Sequence, residues 1–226
     1  MASRSRRVSA AGERRPLPRP PQVVLFDLDG VLVETFDAWV AVLDACRRRR
    51  GLSPLGPEPI RRTWGQGILA DCRVFFPGTD PAELAGEYDA GFAEHLDKVH
   101  AMNGAGALLG RLRARGIPAA VVTNSPVAMT HRLLAGVHDA GAPLGSFFEV
   151  VACGDEVERG KPAPDVLELA VERLGRGTRG AVMVGDTDND RLAAAAAGIP
   201  FIGLCISGDE RVESLEEVAT RLALEE

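Results

Sequence analysis

Lysine is nearly missing from this chain: of 26 basic residues, only Lys98 and Lys161 are lysine and the rest are arginine. Aromatic residues are also scarce, at 5%, so a core must be built mainly from Ala, Val, Leu and Ile. The four cysteines, Cys46, Cys72, Cys153 and Cys205, are scattered, with no CxxC and no Cys/His metal spacing. That excludes a disulfide framework or zinc ribbon and reads as free thiols in a reducing cytoplasm. No run of about 18 apolar residues occurs, which excludes a membrane-spanning helix. An excess of positive charge is missing too. The net charge of −6 argues against nucleic acid as the main partner, and nothing points to a membrane partner. What remains is 226 residues with 46% hydrophobic and 26% charged content, a soluble globular composition long enough for a domain with an insertion.

The basic residues are unevenly spread. Residues 1–20 hold Arg4, Arg6, Arg7, Arg14, Arg15 and Arg19 against Glu13, interleaved with Pro16, Pro18 and Pro20. No apolar segment follows these charges as in a secretory signal, so the stretch reads as a disordered basic tail.

The chain is organised around Val23-Val24-Leu25-Phe26-Asp27-Leu28-Asp29-Gly30. A short, β-branched apolar run bounded by turn residues reads as a buried parallel strand. Its carboxyl end delivers Asp27 and Asp29 where open α/β sheets bind ligands. The turn at Gly30 lets both acids face one site. One carboxylate can serve as nucleophile and the other as general acid and base, beside a hard cation.

Further apolar runs at 117–122, 148–152, 181–184 and 200–204 alternate with helical patterns at 104–115, 127–137, 164–174, 189–197 and 214–223. That alternation predicts an α/β fold with a doubly wound parallel sheet. One interval breaks it. Residues 28–117 separate the first two strands, far more than the roughly 12–30 that a crossover needs. The excess carries helical patterns at 36–50, 58–64, 67–75 and 81–98, with Asp80 and Pro81 placed as N-cap and first helical residue. The expected organisation is therefore a core of 21–35 and 103–226, with residues 36–102 as an inserted helical cap. Its junctions flank the carboxyl edge of the sheet, so it can act as a lid.

Three later segments bear on the aspartate pair. Thr123, after the second strand, can offer its hydroxyl and the following backbone N–H groups to a phosphoryl oxygen. Its plainer reading is a turn or helix cap. Lys161 sits in Arg159-Gly160-Lys161-Pro162, a stiff loop, where a compact ammonium can bridge Asp27 and a phosphoryl oxygen. Its plainer reading is a surface lysine. Gly185-Asp186-Thr187-Asp188-Asn189-Asp190 ends another strand and opens a helix. Asp186 can join Asp27 and the Asp29 backbone carbonyl around Mg²⁺. Asp190, one helical turn on, can support it, and Asp188 is the expected helix cap.

Together these four segments closely resemble the haloacid dehalogenase-like hydrolase superfamily over about residues 22–205, in its phosphoglycolate phosphatase and β-phosphoglucomutase branch, with a helical cap of the first type. The resemblance implies an Mg²⁺-dependent hydrolase of small phosphorylated metabolites working through an aspartyl-phosphate. It implies Asp27 as nucleophile and Asp29 as acid–base. Thr123, Asn124 and Lys161 would hold the phosphoryl group, and Asp27, Asp29, Asp186 and Asp190 would form the metal site. Val31 and Glu34 depart from the commoner threonine and aspartate. Asp29 argues against a dehalogenase, which has no leaving alkoxide to protonate. A phosphonatase needs a cap lysine for an imine, and the cap offers only Lys98, near its exit. A phosphosugar mutase uses the same motifs, and a catalytically idle binding protein is the alternative from another class. In the cap, Arg61 or Arg62, beside Trp64-Gly65-Gln66-Gly67, is an expected contact to the distal part of the substrate; the plainer reading is a solvated helix end with one core tryptophan.

Overall fold

The computed structural model describes residues 14–224. Strand β1 (Val23–Phe26) lies at the centre and is fully buried. A two-residue strand, β2 (Val33–Glu34), then leads into four helices: α1 (Phe36–Arg49), α2 (Pro57–Arg62), α3 (Ile68–Val74) and α4 (Pro81–Ala93). The chain returns through β3 (His100–Ala101), which pairs antiparallel with β2, Val33 opposite Ala101. This small ribbon binds the two ends of the helical insertion together. Nothing in the composition of four residues announces it; pairing across 65 intervening residues is a tertiary event.

The remainder alternates as expected: α5 (Ala105–Ala114), β4 (Ala119–Thr123), α6 (Val127–Gly136), a short hairpin β5 (His138–Asp139) and β6 (Ala142–Pro143), then β7 (Val150–Cys153) and α7 (Asp165–Arg173). Next come β8 (Ala181–Gly185), α8 (Asp188–Ala197), β9 (Phe201–Leu204), β10 (Glu210–Val212) and α9 (Leu215–Arg221). Six strands form one parallel sheet in the order β10-β9-β8-β1-β4-β7. The chain winds outward from β1 in both directions, so the order reverses beside β1. That is where such sheets open a crevice for ligands.

Side-chain alternation splits the core. Val24, Phe26, Val121, Val182 and Val184 face one cluster, with α5, α6 and α9 residues such as Leu108, Leu112, Leu133 and Val218. Val23, Leu25, Ala120, Val122 and Met183 face the other, against Val166, Leu167, Ala193 and Ala194 of α7 and α8. The first cluster runs on into the insertion through Trp39, Val42, Tyr88 and Phe92.

The buried face of α1 is Ala38, Trp39, Val42, Leu43 and Cys46, with Trp39 turned inward to the site. Two local expectations change. Thr187, not Asp188, caps α8: its side chain accepts from the Asp190 N–H, and Asp190 reciprocates. Asp188 instead pairs with Arg191 at 2.9 Å. The basic tail does not run free as far as residue 20. Arg15 donates its backbone N–H to Asp209 Oδ1 at 2.7 Å and its guanidinium to Ala195 O at 3.2 Å. Leu17 packs on the core beside it. The attraction is physical: the carbonyls at the end of α8 carry partial negative charge, and Ala195 O, which also accepts from the Gly198 N–H, has a second lone pair for the guanidinium. Residues 1–13 of the expected tail lie outside the described residues.

Candidate active site

Strand register builds the site. Phe26 pairs with Val121 on β4 and Val184 on β8. Asp27, Thr123 and Asp186 therefore emerge side by side from three adjacent strand ends, and the loop beyond β7 brings Lys161 in from the flank. Asp27, Asp29, Thr123, Asn124 and Lys161 all line one cavity under the insertion. Asp186 borders the adjoining hollow and meets Asp27 and Asp190 in a carboxylate cluster whose ligand atoms lie within 4.8 Å of one another. The carboxylate of Asp29 is not part of that cluster.

Lys161 is buried, and its three N–H donors are all engaged. They go to Asp27 Oδ1 at 2.7 Å, Asp190 Oδ1 at 2.6 Å and the Val122 carbonyl at 2.9 Å. An ammonium has no fourth donor. Lys161 therefore does not bridge to a phosphoryl oxygen in this arrangement; it orients Asp27 and contributes charge. Burial opposes its protonation, but Asp190 and then Asp27 outweigh burial and hold it above the ordinary lysine value.

Asp29 receives three donors. Thr35 Oγ1 lies 2.6 Å and Trp39 Nε1 3.2 Å from its Oδ1, and Ser125 Oγ lies 2.8 Å from its Oδ2. None of these partners carries a sequence motif. They arrive from the first turn of α1 and the start of α6, and only the fold aims them at one carboxylate. Thr123 Oγ1 accepts from the Ser125 N–H at 3.0 Å, a turn that leaves the hydroxyl proton for another acceptor. Both amide N–H donors of Asn124, an expected substrate contact, are engaged within the protein. Its Nδ2 donates to Gly65 O and Lys161 O, and its Oδ1 accepts from the Lys161 N–H. It braces the lysine loop against the cap turn. Asn189 Nδ2 donates to the same Gly65 carbonyl at 3.0 Å.

The carboxylate cluster suits a divalent cation. Burial, then Asp190, pushes Asp27 up to about 7 although Lys161 pulls it down. Burial, then Asp27 and Asp190, pushes Asp186 well above the usual carboxylate range. Asp186 Oδ1 is buried without a hydrogen-bond partner among the described residues, which a hard cation would supply. Gly30 shapes the same spot. At φ +83° it turns the chain, and a Cβ there would collide with Asp186 Oδ2.

The insertion closes the cavity with Trp64, Gly65, Gln66, Gly67, Asp71 and Tyr88. Arg61 and Arg62, the expected substrate contacts, do not line it. They sit on the exposed end of α2 and border the adjoining hollow, with the Arg61 guanidinium 4.2 Å from the centre of the Phe36 ring. The short helix α2 turns Ile60 inward, and that sends the two arginines outward. Asp71 went unnoticed in the sequence; a single acid in a helical pattern carries no signal.

This geometry matches known proteins. The family model for haloacid dehalogenase-like hydrolases matches residues 24–204. Hexitol phosphatase A of Escherichia coli K12 is 34% identical over 192 residues, covering 82% of this chain and 83% of its own. The phosphoglycolate phosphatase of Yersinia pestis is 32% identical over 192 residues, covering 80% and 79%. Among solved structures, CbbY from Rhodobacter sphaeroides in complex with phosphate shares the fold at a TM-score of 0.75 and 22% identity, covering 90% and 99%. With four-fifths of its length matched by curated phosphatases and its strand ends arranged as described, the chain belongs to the haloacid dehalogenase-like hydrolase family, in the phosphoglycolate phosphatase-like branch, and is a phosphatase.

Proposed function

We propose that the protein is an Mg²⁺-dependent phosphomonoesterase of small phosphorylated metabolites in the cytoplasm, acting through an aspartyl-phosphate on Asp27. The observation that carries this reading is the Lys161–Asp27 contact beside a second, separately held carboxylate, Asp29. Asp27, Asp186 and the Asp29 backbone carbonyl would hold the cation, with Asp190 in support; bound there, it supplies charge neutralisation for the phosphoryl oxygens.

Lys161 engages Asp27 Oδ1, which leaves Oδ2 to attack phosphorus. The ester P–O bond breaks as the Asp27–phosphorus bond forms, and Asp29 gives its proton to the leaving oxygen. Asp29 then takes a proton from water, whose oxygen attacks phosphorus and releases Asp27 and inorganic phosphate. The proton travels on Asp29 Oδ2. Oδ1 is held by Thr35 and by the Trp39 indole, which can only donate, whereas the Ser125 hydroxyl on Oδ2 can also accept. Thr123 offers its hydroxyl proton to a phosphoryl oxygen. The insertion acts as a lid, latched in this state by Gly65 O. A mutase would share these steps up to the phospho-enzyme and then return the group to a sugar; the absence of any net phosphate release would favour it.

Turnover of p-nitrophenyl phosphate with Mg²⁺ tests the reading. EDTA should abolish release of nitrophenolate, Mg²⁺ should restore it, and Ca²⁺, with its looser coordination, should restore it poorly. Full activity in EDTA would sink the metal assignment.

A further inference from the structure

The cavity contains one feature that the hydrolytic chemistry leaves unused, the part-buried carboxylate of Asp71 on α3. Its Oδ1 accepts from Gln66 Nε2 and its Oδ2 accepts from Tyr88 Oη at 3.0 Å. Asp71, Gln66 and Tyr88 all line the same cavity as Asp27, Asp29 and Lys161. The only cationic side chain lining that cavity among the described residues is Lys161, whose three donors are already taken. The remaining lining there is neutral or apolar, including Leu43, Ile60, Thr63 and Phe75.

Building on its assignment as a phosphatase, we propose that Asp71 selects phosphate esters whose leaving group is a neutral polyhydroxylated alcohol, and rejects esters bearing a carboxylate near the scissile bond. A carboxylate accepts about four hydrogen bonds, and the two protein donors leave a lone pair on each oxygen for a substrate hydroxyl. The Gln66 carbonyl oxygen and the Thr63 side chain add neutral partners of the same kind. A substrate carboxylate would meet Asp71 with no free cation to offset it, and like charges in such a site repel strongly. The bland alternative is that Asp71 only ties α3 to α4. Its position argues further: burial, partly offset by Gln66 and then Tyr88, pushes the carboxyl up to about 6, so the protein keeps an acid in an unfavourable place that an amide would fill more easily.

Steady-state kinetics on sorbitol 6-phosphate, 2-phosphoglycolate and p-nitrophenyl phosphate test this in the full chain with Mg²⁺. The unmodified enzyme should favour sorbitol 6-phosphate over 2-phosphoglycolate in kcat/KM. Asp71→Asn should reduce the ratio of sorbitol 6-phosphate to p-nitrophenyl phosphate about ten- to hundredfold, mainly through KM, as expected for a lost charge-assisted hydrogen bond. It should also raise the relative use of 2-phosphoglycolate. Tyr88→Phe removes a tie between α3 and α4 but keeps the charge, so it should retain the preference. Preference of the unmodified enzyme for 2-phosphoglycolate, or an equal loss on all three esters in Asp71→Asn, overturns the assignment. No turnover of any ester would instead overturn the phosphatase chemistry on which it rests.

Discussion

Asp27 and Asp29 stand two residues apart, yet the fold gives them different company. Asp27 shares Lys161 with Asp190 and crowds Asp186, whereas Asp29 meets only neutral donors. Asp27→Asn should therefore abolish the phospho-enzyme altogether. Asp29→Asn should slow formation and hydrolysis by about 10²–10⁴, the usual worth of acid–base catalysis. Formation should suffer less with nitrophenolate as leaving group, and the phospho-enzyme should accumulate, visible by intact mass. Equal losses with good and poor leaving groups in single-turnover measurements would contradict the acid–base role. Asp71 gives a pH test on stability. Its folded value, about 6, lies above that of an ordinary aspartate, so the folded state holds its proton longer than the unfolded state. The associated stability is fully present below about pH 4 and is lost as pH rises through about 6, by up to about 3 kcal/mol. Urea unfolding of Asp71→Asn should show the variant gaining on the unmodified protein across that window. A difference that is flat in pH would mean Asp71 does not titrate in it.

At the scale of elements, one carbonyl links the cap turn to the loop after β4 and to the first turn of α8. Gly65 O accepts from Asn124 and Asn189, and Gly65 itself sits at φ +74°, which positions its carbonyl toward both. Losing one neutral hydrogen bond of about 1 kcal/mol should open the lid about fivefold more often. Asn189→Ala is thus expected to raise KM severalfold on small esters with a smaller change in kcat. Unchanged kinetics, with an unchanged melting point, would remove Asn189 from the latch. Arg61→Ala and Arg62→Ala discriminate the two views of the cap. Contact with substrate predicts a selective rise in KM for the preferred ester; their exposed placement on α2 predicts little change, and substrate profiles decide between them.

For the whole molecule, the N-terminal segment is the main revision. Arg15 caps the carboxyl end of α8 and engages Asp209, and Leu17 packs beside it. A chain starting at residue 21 should melt about 2–4 °C below one starting at residue 14, the shift expected for about 1 kcal/mol in a protein of this size. Equal melting points would show that these contacts contribute nothing. The kcat of the two chains should agree, because Arg15 lines neither the cavity nor the carboxylate cluster.

The parallel sheet and the strand ends that carry Asp27, Thr123 and Asp186 were legible in the sequence from local signals, whereas the joint role of those residues with Asp29, Lys161 and Asp190 was legible only as what the family resemblance implies. Apolar runs of strand length, turn residues at their ends and a long helical interval are properties of neighbouring residues. The partners of those side chains were not legible. Thr35, Trp39 and Ser125 meet on Asp29 from 6, 10 and 96 residues away. Asn124 braces the lysine loop because its amide donates to carbonyls 37 and 59 positions distant. Arg61 and Arg62 face outward because Ile60 must face inward, and the docking of Arg15 needs a helix end 180 residues later. Composition and periodicity report what a segment prefers by itself. Which polar groups satisfy one another is decided only when burial forces each donor and acceptor to find a partner, and that is a property of the assembled core.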